Sequence, residues 1–176
     1  MEETSTGGSH VAGVCGLYCG ACTLYRARHD VERKDAQAVL EKIAERWKVP
    51  VEQVVCEGCL SQGPISGYCA ACEIKKCAAS KPGVTRCADC DDFPCDLLMK
   101  FANDGVPHHS AVLKNVRRQR KIGIREWVEE EYERDRCQYC GVSLDWYAGV
   151  CHRCGTQNAS SITSVMGERL QPHYRA

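Results

Sequence analysis

Apolar residues recur at helical spacing in three stretches of the chain. Over residues 30–48, Ala36, Val39, Leu40, Ile43, Ala44 and Trp47 fall on one face at i, i+3, i+4 intervals. Asp30 stands where an N-cap belongs and Pro50 follows the end, so this is the clearest predicted helix. Residues 110–120 carry Val112, Leu113 and Val116 on one face and Arg117, Arg118 and Arg120 elsewhere, with Lys121 next. Gly123 breaks the pattern as a C′ glycine. The period resumes over 124–134 with Ile124, Trp127, Val128 and Tyr132. Between 56 and 95 neither period holds, and the chain reads as loop. It contains an echo, because Cys69-x-x-Cys72-x4-Cys77 and Cys87-x-x-Cys90-x4-Cys95 share one spacing, which predicts two similar turns that each start a short helix. Residues 1–12 and the Ser/Thr-rich 157–176 lack periodicity and read as flexible tails.

This pattern leaves little to bury. Val, Ile, Leu and Phe number 33 of 176 residues, and the aromatic fraction is 7%. A share near ~20% is where chains struggle to fold by burial alone. Something besides an apolar core must hold the chain together. A structural zinc contributes roughly 10–16 kcal/mol of apparent binding energy, as much as the net stability of a typical domain.

The cysteines supply such a means. There are 15, and twelve fall in six C-x-x-C pairs: Cys19/Cys22, Cys56/Cys59, Cys69/Cys72, Cys87/Cys90, Cys137/Cys140 and Cys151/Cys154. Random placement would give about one such pair. Two residues between thiols let both sulfurs turn toward one metal. The last two pairs, each followed by glycine (Gly141, Gly155) and separated by ten residues, have the pattern of a zinc ribbon. Four thiolates close its shell, which marks a structural rather than a catalytic site and leaves His152 outside the ligand set.

The other eleven cysteines lie between 15 and 95. Their four C-x-x-C pairs make two four-thiolate sites and leave Cys15, Cys77 and Cys95 for a third site completed by a histidine (His10, His29, His108 or His109), for a cluster, or as buried thiols. Cys15, Cys19 and Cys22, in a C-x3-C-x2-C run, could hold three irons of a [4Fe–4S] cluster. That spacing also occurs in radical S-adenosylmethionine enzymes, but no run of βα units long enough for their barrel is present, and Ala21 stands where they carry an aromatic residue. Which pairs share a metal stays open, because such sites interleave.

Charge adds exclusions. The formal net charge is +0, with 23 basic and 23 acidic residues, so no general attraction to nucleic acid or anionic membrane exists. The basic run Arg117–Lys121 is the one local hint of nucleic acid, and it reads more simply as a solvated face balanced by Glu126 and Glu129–Glu131. No apolar run reaches the ~18 residues of a membrane span. The acidic, polar opening is unlike a signal peptide, which gives a cytoplasmic protein with reduced thiols. Asp89, Asp91, Asp92 and Asp96 surround Cys90 and Cys95; unscreened, they disfavour a reactive thiolate there, and Asp91 and Asp92 fit turn positions ahead of a helix after Pro94. P-loops, nucleotide-binding glycine motifs and H-E-x-x-H are absent.

The string Cys15-Gly-Leu-Tyr-Cys-Gly-Ala-Cys22, then Cys-Glu-Gly-Cys59, the Cys69–Cys77 block and Cys87-Ala-Asp-Cys-Asp-Asp-Phe-Pro-Cys95 resemble the prokaryotic family called domain of unknown function 3795. The helical segment through His109, Asn115, Gly123 and Trp127 is similar to that family's C-terminal half. The resemblance spans about residues 13–130 and implies a bacterial or archaeal metal-binding protein without an assigned reaction. The reading is therefore a small, metal-stabilised, α-rich and irregular fold: a flexible tail (1–12), a cysteine-rich metal-binding domain (13–130), a zinc ribbon (131–156) and a second tail (157–176). It would hold two to four zinc ions, with a [4Fe–4S] cluster at the N-terminal motif as the alternative cofactor. Its role would be a non-enzymatic binding or adaptor module with a protein partner, or else an electron-transfer or redox-sensing protein, or a metal store or metallochaperone.

Overall fold

The longer helices form where the apolar period holds, and a glycine divides the two C-terminal ones. The computed structural model describes residues 8–31 and 33–166. Among these residues it is helix-rich and has no strand, only three isolated bridges. No helix is long and apolar enough to cross a membrane.

The first helix, α1 (Thr23–His29), starts directly after Cys22 and buries Leu24, Tyr25 and Ala27. Asp30 ends α1 instead of starting the next helix: its backbone N–H donates to the Arg26 carbonyl at 2.9 Å. Its carboxylate, 8% exposed, receives the Arg26 guanidinium at 3.1 Å and His152 Nε2 at 3.0 Å. A buried carboxylate already held by an arginine and a histidine is not free to cap a helix. The predicted 30–48 helix is accordingly shorter, α2 (Ala36–Trp47), and Lys48 in left-handed conformation (φ 55°) ends it. Trp47 turns outward, 43% exposed, against Tyr68.

The echo yields short helices in different registers. In the first copy, after α3 (Gly67–Ala70), α4 (Glu73–Ala79) begins immediately behind Cys72 and carries Cys77 inside it. In the second, a turn at Asp91-Asp92 and Pro94 delay α5 (Asp96–Ala102) until after Cys95. Then α6 (Val112–Ile122) and α7 (Ile124–Arg134) lie where the period placed them, joined through Gly123 at φ 87°.

Three apolar clusters share one strip of chain. Val11, Ala12, Tyr18, Ala21 and Tyr25 pack with Trp127 and Val128 of α7. Val14 packs with Ile74, Ala78, Leu98, Ala102, Val112 and Val116. Leu24 and Ala27 pack with Leu40, Ala44, Val54 and Cys56. Residues 11–27 thus line these three, while a fourth cluster, Leu144 with Cys137 and Cys151, stands apart in the C-terminal segment; each fully buried large side chain contributes about 1.5–3 kcal/mol. The strip crosses α6 at Gly16, whose φ is +92°. A Cβ there would sit 2.7 Å from Val116 Cγ2, and Asn115 Nδ2 donates to the Gly16 carbonyl at 2.9 Å.

Parts of both expected tails belong to the folded body. Val11 and Ala12 are 1% and 0% exposed, and the Arg86 guanidinium donates to the Ser9 and Ala12 carbonyls. Gln157 bridges to Val150, Ser161 is buried, and α8 (Ile162–Met166) follows. The expected tail positions 1–7 and 167–176 lie outside the described residues.

Candidate metal centre

The C-terminal thiols are positioned by two copies of one turn. Cys137 N–H donates to Val142 O at 2.8 Å and Gly141 N–H to Cys137 O at 2.9 Å. Fourteen positions later Cys151 N–H donates to Thr156 O, and Gly155 N–H to Cys151 O, both at 2.9 Å. The bridges Arg136 with Ser143 and Val150 with Gln157 keep the same offset. Gly141 (φ 74°) and Gly155 (φ 73°) occupy the left-handed region that the turn requires and most side chains avoid.

These turns bring the Sγ atoms of Cys137, Cys140, Cys151 and Cys154 within 4.8 Å of one another. Cys137 to Cys154 and Cys140 to Cys151 are each 3.6 Å. Four sulfurs at ~2.3 Å from one tetrahedral ion stand about 3.8 Å apart, so this donor set fits a single thiophilic ion. Its electrostatics are uneven. The hydroxyl and N–H of Thr156 hold the Cys154 thiol down at about 6, whereas burial pushes Cys151 up to about 12. Backbone N–H groups of Cys140 and Tyr139 lower Cys137. His152 stays outside the set, as the spacing implies, and anchors its turn to Asp30.

The eleven other cysteines are partnered across C-x-x-C pairs more than within them. The thiols of Cys19 and Cys59 hydrogen-bond, as do those of Cys56 and Cys69. In each couple one thiol is held down at about 6 (Cys59, Cys56) and its partner is pushed up. Val14 N–H also donates to Cys59 Sγ at 3.3 Å. Burial pushes Cys22 up to about 11, and Cys56 adds to the rise. Cys15 is raised by burial and next to Cys59, Cys72 and Cys87. The Cys69/Cys72 pair is thus divided between two neighbourhoods. Cys77, Cys87, Cys90 and Cys95 line a cavity described below. Among the described residues, no second set of three Cys, His, Asp or Glu ligand atoms lies within 4.8 Å.

Three of the four histidines considered as additional ligands have other partners. His29 stacks on Tyr25, His108 Nδ1 lies 2.7 Å from the Tyr147 hydroxyl, and His109 Nδ1 lies 2.8 Å from Asp104 Oδ2. None of the four, His10 included, joins a thiol set. The basic run is absorbed as well: Arg118 pairs with Glu130, and Arg117 and Arg120 lie over the Phe93 ring. Sequence reasoning missed Lys81, whose Nζ lies 3.2 Å from Cys90 Sγ and 2.6 Å from Asp92 Oδ2. The excess of aspartates around Cys90 was the signal that a cation must stand nearby.

Comparison with known families agrees with this layout. The family described as Protein of unknown function (DUF3795) matches residues 11–100. The chain belongs to this family. The DUF3795 match starts at the buried Val11 and takes in all eleven non-ribbon cysteines. It ends at Lys100, ahead of α6, α7 and the ribbon, so it is shorter than the 13–130 resemblance. No curated protein and no solved structure matches the chain.

Proposed function

We propose that this DUF3795 protein is a zinc-binding protein whose ribbon holds one structural zinc ion, and that it acts as a non-enzymatic binding module. The observation that carries the reading is the convergence of four thiol sulfurs within 4.8 Å. Thiolates select soft ions, and of these zinc takes the tetrahedral four-sulfur shell without redox chemistry. The closed shell leaves no position for substrate, so the ion would tie two turns together and present their surface. Tyr139, 80% exposed at the tip of the first turn, is an aromatic contact of the kind that anchors partners.

Elemental analysis of the purified full chain tests this. One zinc equivalent is expected to disappear in both Cys140→Ser and Cys151→Ser, with the far-ultraviolet helical signal largely kept. Unchanged zinc content in both variants would refute the assignment.

A further inference from the structure

Away from the ribbon, α4, the Cys87–Asp89 turn and the start of α5 line a cavity of about 20 Å³. Four thiols line it: Cys77, Cys87, Cys90 and Cys95. The rest of the lining is apolar (Ile74, Ala78, Val84, Phe93, Leu97, Leu98), with Lys81 as the single charge. No three of the four sulfurs lie within 4.8 Å of one another, in contrast to the ribbon. Four thiols around a space, rather than at a point, suit a group with its own volume.

Charge points the same way. Lys81 Nζ lies 3.2 Å from Cys90 Sγ while also pairing with Asp92. Arg120 Nη2 donates to the Cys90 carbonyl at 3.2 Å. Arg117 and Arg120 both stand over Phe93, which forms one wall. Cluster-bound thiolates enclosed by hydrocarbon need nearby cations, and Lys81 and Arg120 both stand at Cys90.

We infer that Cys77, Cys87, Cys90 and Cys95 ligate a [4Fe–4S] cluster in this cavity. The second C-x-x-C-x4-C unit supplies three ligands, and the last cysteine of the first unit supplies the fourth. Two thiols left over when cysteines are counted in pairs thereby become ligands. The cluster sits away from the N-terminal C-x3-C-x2-C run, and this assignment is independent of the ribbon zinc.

The test uses the full chain purified without oxygen from iron-supplied cells. Iron, acid-labile sulfide and zinc are quantified, and visible absorption is recorded before and after dithionite. About four irons and four sulfides per chain are expected, with absorption that bleaches on reduction. Cys77→Ser and Cys95→Ser should each lose most of the iron and colour while keeping the ribbon zinc. Cys140→Ser should lose zinc and keep iron, so a failure of the ribbon reading is told apart from a failure here. Iron-free protein refutes the inference, as does colour that survives both cavity variants or is lost in Cys22→Ser but not in Cys95→Ser. If a variant does not fold, maleimide footprinting of the wild-type chain decides. The four thiols should become reactive together when iron is stripped, and their labelling in iron-loaded protein refutes the cluster.

Discussion

Replacing Gly16 with alanine tests how the cysteine-bearing strip is held on α6. The residue has φ +92°, and an added Cβ would lie 2.7 Å from Val116 Cγ2 and 3.2 Å from the Val112 carbonyl oxygen. Left-handed backbone costs an alanine about 1–2 kcal/mol. Forcing a methyl into a filled core costs about 1–3 kcal/mol more. Gly16→Ala should therefore lose about 2–5 kcal/mol, a large part of the net stability of an ordinary domain, about 5–15 kcal/mol. The assay is urea unfolding of metal-loaded protein at fixed free zinc, followed by tryptophan fluorescence, since Trp127 is fully buried in the adjoining cluster. Val116→Ala supplies the control. Alone it destabilises by up to about 1.5–3 kcal/mol through lost burial. In combination with Gly16→Ala it removes the clash with the Val116 side chain and leaves the Val112 carbonyl contact and the backbone term, so the double variant should be less destabilised than the sum by up to about 1–3 kcal/mol. A Gly16→Ala protein within about 0.5 kcal/mol of wild type would refute the reasoning, because surface-like positions behave that way. Strict additivity in the cycle would refute the steric part alone.

Two further outcomes follow from the seam between the ribbon and the helices. Burial against Trp146, reinforced by His109 and opposed by Asp104, lowers His108 to about 3, while an unfolded histidine titrates near 6.5. The unfolded state therefore binds more protons between those values, and stability falls as pH drops through that window. His108 should cost about 2 kcal/mol between pH 7 and 5, and His108→Gln should remove that share of the wild-type slope in unfolding titrations run in parallel; identical slopes would count against it. Arg33 Nη1 meets Asp145 Oδ2 at 2.9 Å with both side chains largely buried. Arg33→Ala strands that carboxylate and should cost about 3–5 kcal/mol by denaturant unfolding, more than Asp145→Asn; the reverse order would contradict the pairing.

The ribbon was legible because its determinants are local. Two thiols, two intervening residues and a glycine specify each turn, and the structure repeats that unit at a fixed offset. Helices α6 and α7 were legible for the same reason, since eleven residues each suffice to show a period. Helix α1 has seven residues, three of them basic, and shows none. Asp30 looked like a cap because an aspartate before an apolar period is usually one; its actual partner, His152, comes from the far end of the chain. The pairing of core thiols was unreadable in principle. Cys19 meets Cys59 rather than its own neighbour Cys22 because separate loops are brought together by the packing of α1 on α2 and of residues 11–18 on α6 and α7. Cysteine spacing gives the reach of each thiol and not its destination.

The strip from Val11 to Ala27 touches three of the four apolar clusters, and it is synthesised before the elements that cover it. Its partners emerge much later: Cys59, then Cys87, whose N–H donates to the Val14 carbonyl, then Asn115 and finally Trp127. At ~5–20 residues per second the interval between Cys22 and Trp127 lasts about 5–20 s. Through that interval the α7 surface that covers Tyr18 and Ala21 does not yet exist. Cys19 can meet Cys59 early, but the packing of Val11, Ala12 and Tyr18 is completed only after α7 has been made.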